Sequence, residues 1–293
     1  MENLDLFGNP IAKKNDLKEM FGENPFSILD AKSGSWQNRK RKWLNLGIQS
    51  EVGRNAKTFS MKNWENTNLE QGNLKNCGFP SDTSVFDPVL CELMYKWFCP
   101  IGGSILDPFA GGSVRGIVAN YLGYKYTGID IRQEQIDSNI EQALDILEVN
   151  NQPKWCVGDS NVILDSLDNN SFDMVFSCPP YANLEKYSDL DGDISNMNYD
   201  DFLKAYESII EKSCQKLKKG SHAIFVVGEV RDKNGFYYGL VPDTINAFKK
   251  AGMKFYNEAI LSIPIASAAI RASGNMKSKK LVKVHQNILD FVK

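Results

Sequence analysis

The stretch Ser104-Ile-Leu-Asp107-Pro108-Phe109-Ala110-Gly111-Gly112-Ser113-Val114 constrains this chain more than any other. A short apolar run closes on an aspartate, turns through two glycines and a serine, and opens into 114–122, where apolar residues recur at helical spacing. The segment predicts a strand, a tight turn and a helix. Glycines let the backbone pass close beneath a ligand, and the N–H groups of a helix start favour an anion. Asp107, at the carboxyl end of the strand, offers an acceptor to a cation. A glycine turn that serves only helix–strand packing explains the glycines equally well.

A ligand carrying both an ammonium and a carboxylate fits this unit, and the methionine part of S-adenosylmethionine is such a ligand. A second stretch, Ser171-Phe-Asp-Met-Val-Phe-Ser177-Cys178-Pro179-Pro180-Tyr181, reads as an apolar strand stopped at a Pro-Pro-aromatic corner. Two adjacent prolines cannot extend a sheet ladder. They fix a rigid turn whose preceding carbonyls are free to accept from a substrate, and a tyrosine directly after can lie on a flat ring. Rigid acceptors beside a stacking platform suit the exocyclic amino group of a base.

Asp-Pro-Phe-Ala-Gly-Gly-Ser and Cys-Pro-Pro-Tyr, in this order, resemble the two signatures of the S-adenosylmethionine-dependent DNA amino-methyltransferases, which act on adenine N6 or cytosine N4 and are often phage- or prophage-encoded. The resemblance runs from about residue 81 to the end. It implies an α/β fold with a doubly wound, Rossmann-like methyltransferase sheet, mostly parallel with an antiparallel edge strand. Residues 81–293 would form that domain, and residues 1–80 a small, basic, loop-rich N-terminal extension. The implied cofactor is S-adenosyl-L-methionine, held by Asp107, Pro108, Phe109, Ala110, Gly111, Gly112 and Ser113. The implied partner is double-stranded DNA, with a cognate endonuclease or a homodimer as further possibilities.

At 293 residues the chain has length for one large core, or one core plus a smaller unit. The formal net charge of −2 argues against wholesale coating of nucleic acid while allowing a local basic face. Six scattered cysteines without a Cys-x-x-Cys pair predict reduced thiols in a cytoplasmic protein, with neither a disulfide frame nor a zinc site. The start lacks a charged-then-apolar signal pattern, and the longest apolar stretch is broken by Pro264, so neither secretion nor a membrane span is expected.

Along the chain, Phe26–Asp30 allows a short strand. Trp36 to Gly47 reads as a short helix in which Arg39, Lys40, Arg41 and Lys42 are flanked by two tryptophans. Such a run is either a solvated helix docked by its tryptophans or an element that binds phosphates without reading sequence. Residues 50–80 read as a long loop. Asp87-Pro88 starts an amphipathic helix with proline at its first position, and by resemblance that leading turn touches the cofactor; ordinary capping explains both residues as well. Asp130 ends a second strand about 20 positions beyond the glycine turn, where a dinucleotide-type fold places a carboxylate on ribose hydroxyls. Asp159 ends a third strand, where the resemblance assigns it to the cofactor's adenine and a plain N-cap is the alternative. The acidic stretch Ala182 to Asp193 lacks the calcium-loop pattern, so no metal is assigned. The connection 264–283 reads as a long basic loop offering Arg271, Lys277, Lys279 and Lys280 to DNA, or simply keeping itself soluble.

An amino group conjugated to a base ring is a poor nucleophile, and hydrogen bonds to fixed acceptors draw its nitrogen toward tetrahedral geometry. The base must first leave the stack, and Tyr181 is the platform that receives it. The acceptors are assigned to the Pro179 carbonyl and to position 178, where the family usually has Asp, Asn or Ser and this chain has Cys178, a weak acceptor. The substitute is either the Ser177 oxygen, if the corner is shifted, or main-chain carbonyls alone. Three other activities stay open: an RNA base methyltransferase, a pyrimidine carbon-5 enzyme using Cys178 as nucleophile, and an inactive DNA-binding relative.

Overall fold

The computed structural model describes residues 17–48, 86–181, 190, 192–265 and 268–293. The loop expected over 50–80 and most of the acidic stretch after Tyr181 lie outside the described residues. In chain order the main elements are α1 (Leu17–Phe21), β1 (Ile28–Asp30), α2 (Gly34–Leu44), α3 (Pro88–Phe98), β2 (Ser104–Asp107), α4 (Val114–Tyr121), β3 (Lys125–Asp130) and α5 (Gln133–Ile146). They continue with β4 (Lys154–Val157), α6 (Ser160–Ile163), β5 (Phe172–Ser177), α7 (Tyr199–Lys216), β6 (Leu217–Val227), α8 (Leu240–Lys250), β7 (Lys254–Ser262), α9 (Ala268–Lys277) and β8 (His285–Val292).

The strands form one sheet in the order β1-β7-β8-β6-β5-β2-β3-β4. From β2 the chain builds outward through β3 and β4, then returns to the other side of β2 through β5 and β6, all parallel. This reversal is the topological switch point of a doubly wound α/β sheet, and ligands in such sheets bind outside the carboxyl ends of the strands beside it. β8 runs antiparallel to both β6 and β7, which gives the expected antiparallel pair on that side, and β1 adds a further parallel strand outside it.

Alternation along the inner strands explains why both faces carry helices. Met174, Phe176, Ile224 and Val226 face a core shared with α2, α3 and α4, while Val175, Ala223, Phe225 and Val227 face one shared with α7 and α8. Gly116 on α4 is required by this packing, since a Cβ there would lie 2.6 Å from the Trp155 ring. The expected N-terminal extension is not detached where it is described: β1 pairs with β7, and Trp36 and Trp43 of α2 are buried in the first core.

Two of the four consecutive cations of α2 are consumed by this docking. Arg39 donates to both oxygens of Glu92 on α3, at 3.0 and 2.7 Å, and also to the Gly22 carbonyl. Lys40 lies 3.2 Å from Asp87, which also accepts from the Trp36 indole. The phosphate-binding reading is thereby corrected for Arg39 and Lys40; Arg41 and Lys42 remain exposed. The second correction concerns 264–283, expected as a loop, which holds the helix α9. Its Ala-Ala-Ile-Arg-Ala run has strong helix propensity that outweighs Gly274, a cost of about 1 kcal/mol. Among the described residues no helix is long and apolar enough to cross a membrane.

Burial pushes the Glu92 carboxyl up, but the bonds from Arg39, Lys96 and Trp43 outweigh it and hold the group below the usual carboxylate range. The stability it adds is full above that range and is lost as pH falls through the depressed value. Glu92→Gln should therefore cost about 2 kcal/mol near neutral pH in urea unfolding, with the difference from wild type shrinking in acid. A difference independent of pH would show that the charge is not what docks α2.

Candidate active site

The carboxyl ends of β2 and β5 lie side by side, and a buried polar cluster joins them. Asp107 is 0% exposed, and each of its oxygens has partners from different elements. Oδ1 accepts from the Ser177 hydroxyl at 2.5 Å and the Phe109 N–H at 3.1 Å; Oδ2 accepts from Arg115 Nε at 2.5 Å and the Tyr126 hydroxyl at 2.6 Å. Arg115, on the first turn of α4, also donates to the Phe109 and Ala110 carbonyls at 2.5 and 2.8 Å and lies 4.7 Å from the centre of the Phe86 ring. Burial by itself would push the guanidinium down, yet the Asp107 charge overrides it and holds Arg115 well above its ordinary value. Burial first, and then the same carboxylate, raises the Tyr126 hydroxyl.

This corrects two expectations. Asp107 does not face the pocket as a ligand for an ammonium, because its carboxylate is enclosed and saturated by the protein's own donors. Ser177 is not a substitute acceptor for substrate, because it is buried and donates inward. The two residues instead pin the glycine bend to the Pro-Pro corner. Arg115 and Tyr126 escaped the sequence reading because neither stands in a motif: Arg115 falls inside an apolar helix pattern and Tyr126 inside a strand.

The bend itself has the geometry a ligand cradle needs. Gly111 adopts φ +50, a left-handed conformation that favours glycine. Its N–H donates to Asp130 at 3.0 Å and its carbonyl accepts from Asn139 at 2.7 Å, so strand β3 and helix α5 fix the turn. Ser113 makes no side-chain cap on α4, its hydroxyl donating instead to Gln142 Oε1 at 3.2 Å, and a helix start favours an anion. Pro108 and Ala110 are buried supports, the former accepting from the Ser160 hydroxyl at 2.5 Å and the latter donating to the Ile129 carbonyl at 2.9 Å. Phe109, half-buried, packs toward Tyr206 and Phe225. Gly112 is also half-buried.

Asp130 and Asp159 stand at the ends of the adjacent strands β3 and β4, both half-buried. Asp130 further accepts from the Arg132 N–H at 2.9 Å. Asp159 caps α6 by accepting from the Asn161 N–H at 2.8 Å, and a Cβ on Gly192 would come within 3.1 Å of its other oxygen. Asp87 serves as the N-cap of α3 ahead of Pro88, accepting from the Val89 N–H at 2.9 Å, so its carboxylate is already committed to its helix and to α2.

At the corner, Pro179 is buried, while Cys178, Pro180 and Tyr181 are half-buried. The Cys178 sulfur lies 3.9 Å from the Tyr181 hydroxyl, which accepts from Gln286 Nε2 at 3.0 Å. Arg271 and Lys277 on α9, and Lys279 just after it, are exposed; Lys280 is half-exposed and lies against Gly235.

No protein-family profile matches the chain, and no curated protein does. Among solved structures it is similar to TrmN from Thermus thermophilus, at 13% identity and TM-score 0.48, covering 71% of this chain and 49% of that one. It is similar to a proposed DNA modification methylase, also from Thermus thermophilus, at 20% identity and TM-score 0.35, covering 46% and 50%. A TehB-like SAM-dependent methyltransferase from Corynebacterium glutamicum gives 18% identity and TM-score 0.40, covering 66% and 82%. The chain spans about half the length of the first two. The likenesses are distant, and the site is located by strand order and side-chain geometry alone.

Asp107→Asn leaves a buried guanidinium without its counter-charge and should cost about 3–5 kcal/mol in chemical denaturation. Ser177→Ala removes one neutral donor and should cost about 1–2 kcal/mol. Equal losses from both would mean that the ion pair is not the centre of the cluster.

Proposed function

We propose that this chain is an S-adenosylmethionine-dependent methyltransferase acting on the exocyclic amino group of a flipped base in DNA, adenine N6 before cytosine N4. The observation that carries the reading is the Ser177–Asp107 bond, which sets the glycine bend and the Pro179–Pro180 corner on neighbouring strand ends. The residues present fit the cofactor. The start of α4, which Ser113 does not cap, suits its carboxylate, and Asp130 and Asp159, at the ends of adjacent strands, are the carboxylates assigned to its ribose hydroxyls and adenine amino group. When bound, the cofactor supplies an electrophilic methyl on a sulfonium.

The chain's own residues then position the nucleophile. The Pro179 carbonyl and the main-chain carbonyl at 178 accept the amino hydrogens, so the weak sulfur acceptor of Cys178 is not needed. Tyr181 receives the face of the base, offsetting the few kcal/mol lost on unstacking. No covalent intermediate is called for. The amino lone pair forms the new N–C bond as the C–S bond breaks, and the extra proton leaves to solvent. DNA backbone contacts are assigned to Arg271, Lys277, Lys279 and Lys280, with Arg41 and Lys42 as the remaining cations of α2.

Treating DNA with labelled cofactor and digesting it should release N6-methyladenine. N4-methylcytosine would move the target within the same chemistry. A carbon-5 product, or a DNA adduct abolished by Cys178→Ala, would overturn it, as would preference for structured RNA at equal salt, or cofactor uptake without turnover. Asp130→Ala should weaken cofactor binding at least tenfold by calorimetry, since hydrogen bonds to a charged group are worth about 1.5–3 kcal/mol. Removing Arg271 and Lys277 together should weaken DNA binding evenly across sequences and lower the salt slope by about 1 for each phosphate no longer neutralised.

A further inference from the structure

Beside the Pro-Pro corner three more segments converge: Gly228 and Glu229 after β6, Lys283 ahead of β8, and Gln286 on β8 itself. A Cβ placed on Gly228 would lie 3.4 Å from Lys283 Nζ and 3.6 Å from the ring and hydroxyl of Tyr181. A Cβ at 228 would thus stand in van der Waals contact with both ammonium and aromatic ring, so Lys283, Gly228 and Tyr181 are close neighbours. Lys283 Nζ is buried and makes no hydrogen bond. One oxygen of Glu229 accepts from the Val241 N–H at 2.9 Å, and the other is buried without a partner. An enclosed ammonium with no acceptor is costly to the fold, and burial pushes Lys283 below its ordinary value while the Glu229 charge partly holds it up.

We propose that Lys283 reads the target base beside Tyr181 by donating to the ring nitrogen next to its amino group. This rests on the amino-methylation reading above. Adenine and cytosine both carry an amino donor beside a bare ring nitrogen, N1 and N3 respectively. A carbonyl acceptor at the corner and an ammonium donor beside it complement that pair. Guanine and thymine carry an N–H at the corresponding ring position, so the ammonium would meet a donor and reject them. The lysine is a specificity residue, since donation to the ring nitrogen does not make the amino group a better nucleophile.

The test measures kcat/KM for wild type and Lys283→Met on DNA with adenine, or with 1-deazaadenine, at the methylated position. If the product is N4-methylcytosine, 3-deazacytosine takes the analogue's place. Wild type should lose at least tenfold on the deaza substrate. Lys283→Met should lose as much on the normal substrate and no more on the analogue, with cofactor affinity within twofold and an unchanged or higher Tm. Activity of Lys283→Met within threefold of wild type would overturn the inference, as would losses that simply multiply, or a lower Tm with weaker cofactor binding. If wild type leaves no methylated amino base, the function reading itself fails. If wild type makes the product and Lys283→Met makes it equally well, only the role of Lys283 falls.

Discussion

The buried Asp107–Arg115 ion pair is the interaction on which the site depends. In a low-dielectric interior an ion pair repays its desolvation only when its remaining lone pairs and protons are satisfied. Here the Ser177 and Tyr126 hydroxyls and the Phe109 N–H complete the carboxylate, and two main-chain carbonyls of the bend complete the guanidinium. Because these partners come from β2, α4, β3 and β5, satisfying the charges and aligning the strand ends are one event. A pocket whose halves come from distant parts of the sequence is thereby fixed by a handful of short bonds.

Much of the architecture was legible because its signals are local. The strand–turn–helix at 104–122, the proline start of α3 and the strand ending in Asp130 follow from periodicity and turn chemistry, and the structure has each of them. What was not legible is partnership. A carboxylate at a strand end looks the same in sequence whether it faces a ligand, as Asp130 can, or is enclosed, as Asp107 is. Only the contents of neighbouring elements decide between the two, and Arg115 stands in a helix pattern that advertises packing. α9 was missed for a related reason: Gly274 and a cluster of lysines read as loop chemistry, while the alanine-rich run beside them carries the helix.

The cationic run of α2 shows how composition misleads at short range. Four adjacent positive charges suggest a phosphate-binding face, but a helix sends successive side chains in different directions. Arg39 and Lys40, turned toward α3, meet Glu92 and Asp87 and become part of a docking seam, while Arg41 and Lys42 point away. One tetrapeptide thus divides between structure and surface according to the angle at which each residue leaves the helix.

The three-residue strand β1 has a consequence for solubility. It pairs with β7 only at Ile260–Ser262, the end where Leu261 is buried. Among the described residues the rest of that outer strand has no neighbour on this side, and there it carries Lys254 and Glu258 around Phe255, the exposed Tyr256 and Asn257. An open sheet edge is a template for pairing with another chain, and charged side chains along it oppose such pairing. The molecule thus shields its apolar rim with a scrap of its own N-terminal chain and leaves the remainder guarded by charge, so losing that scrap would uncover a surface prone to self-association.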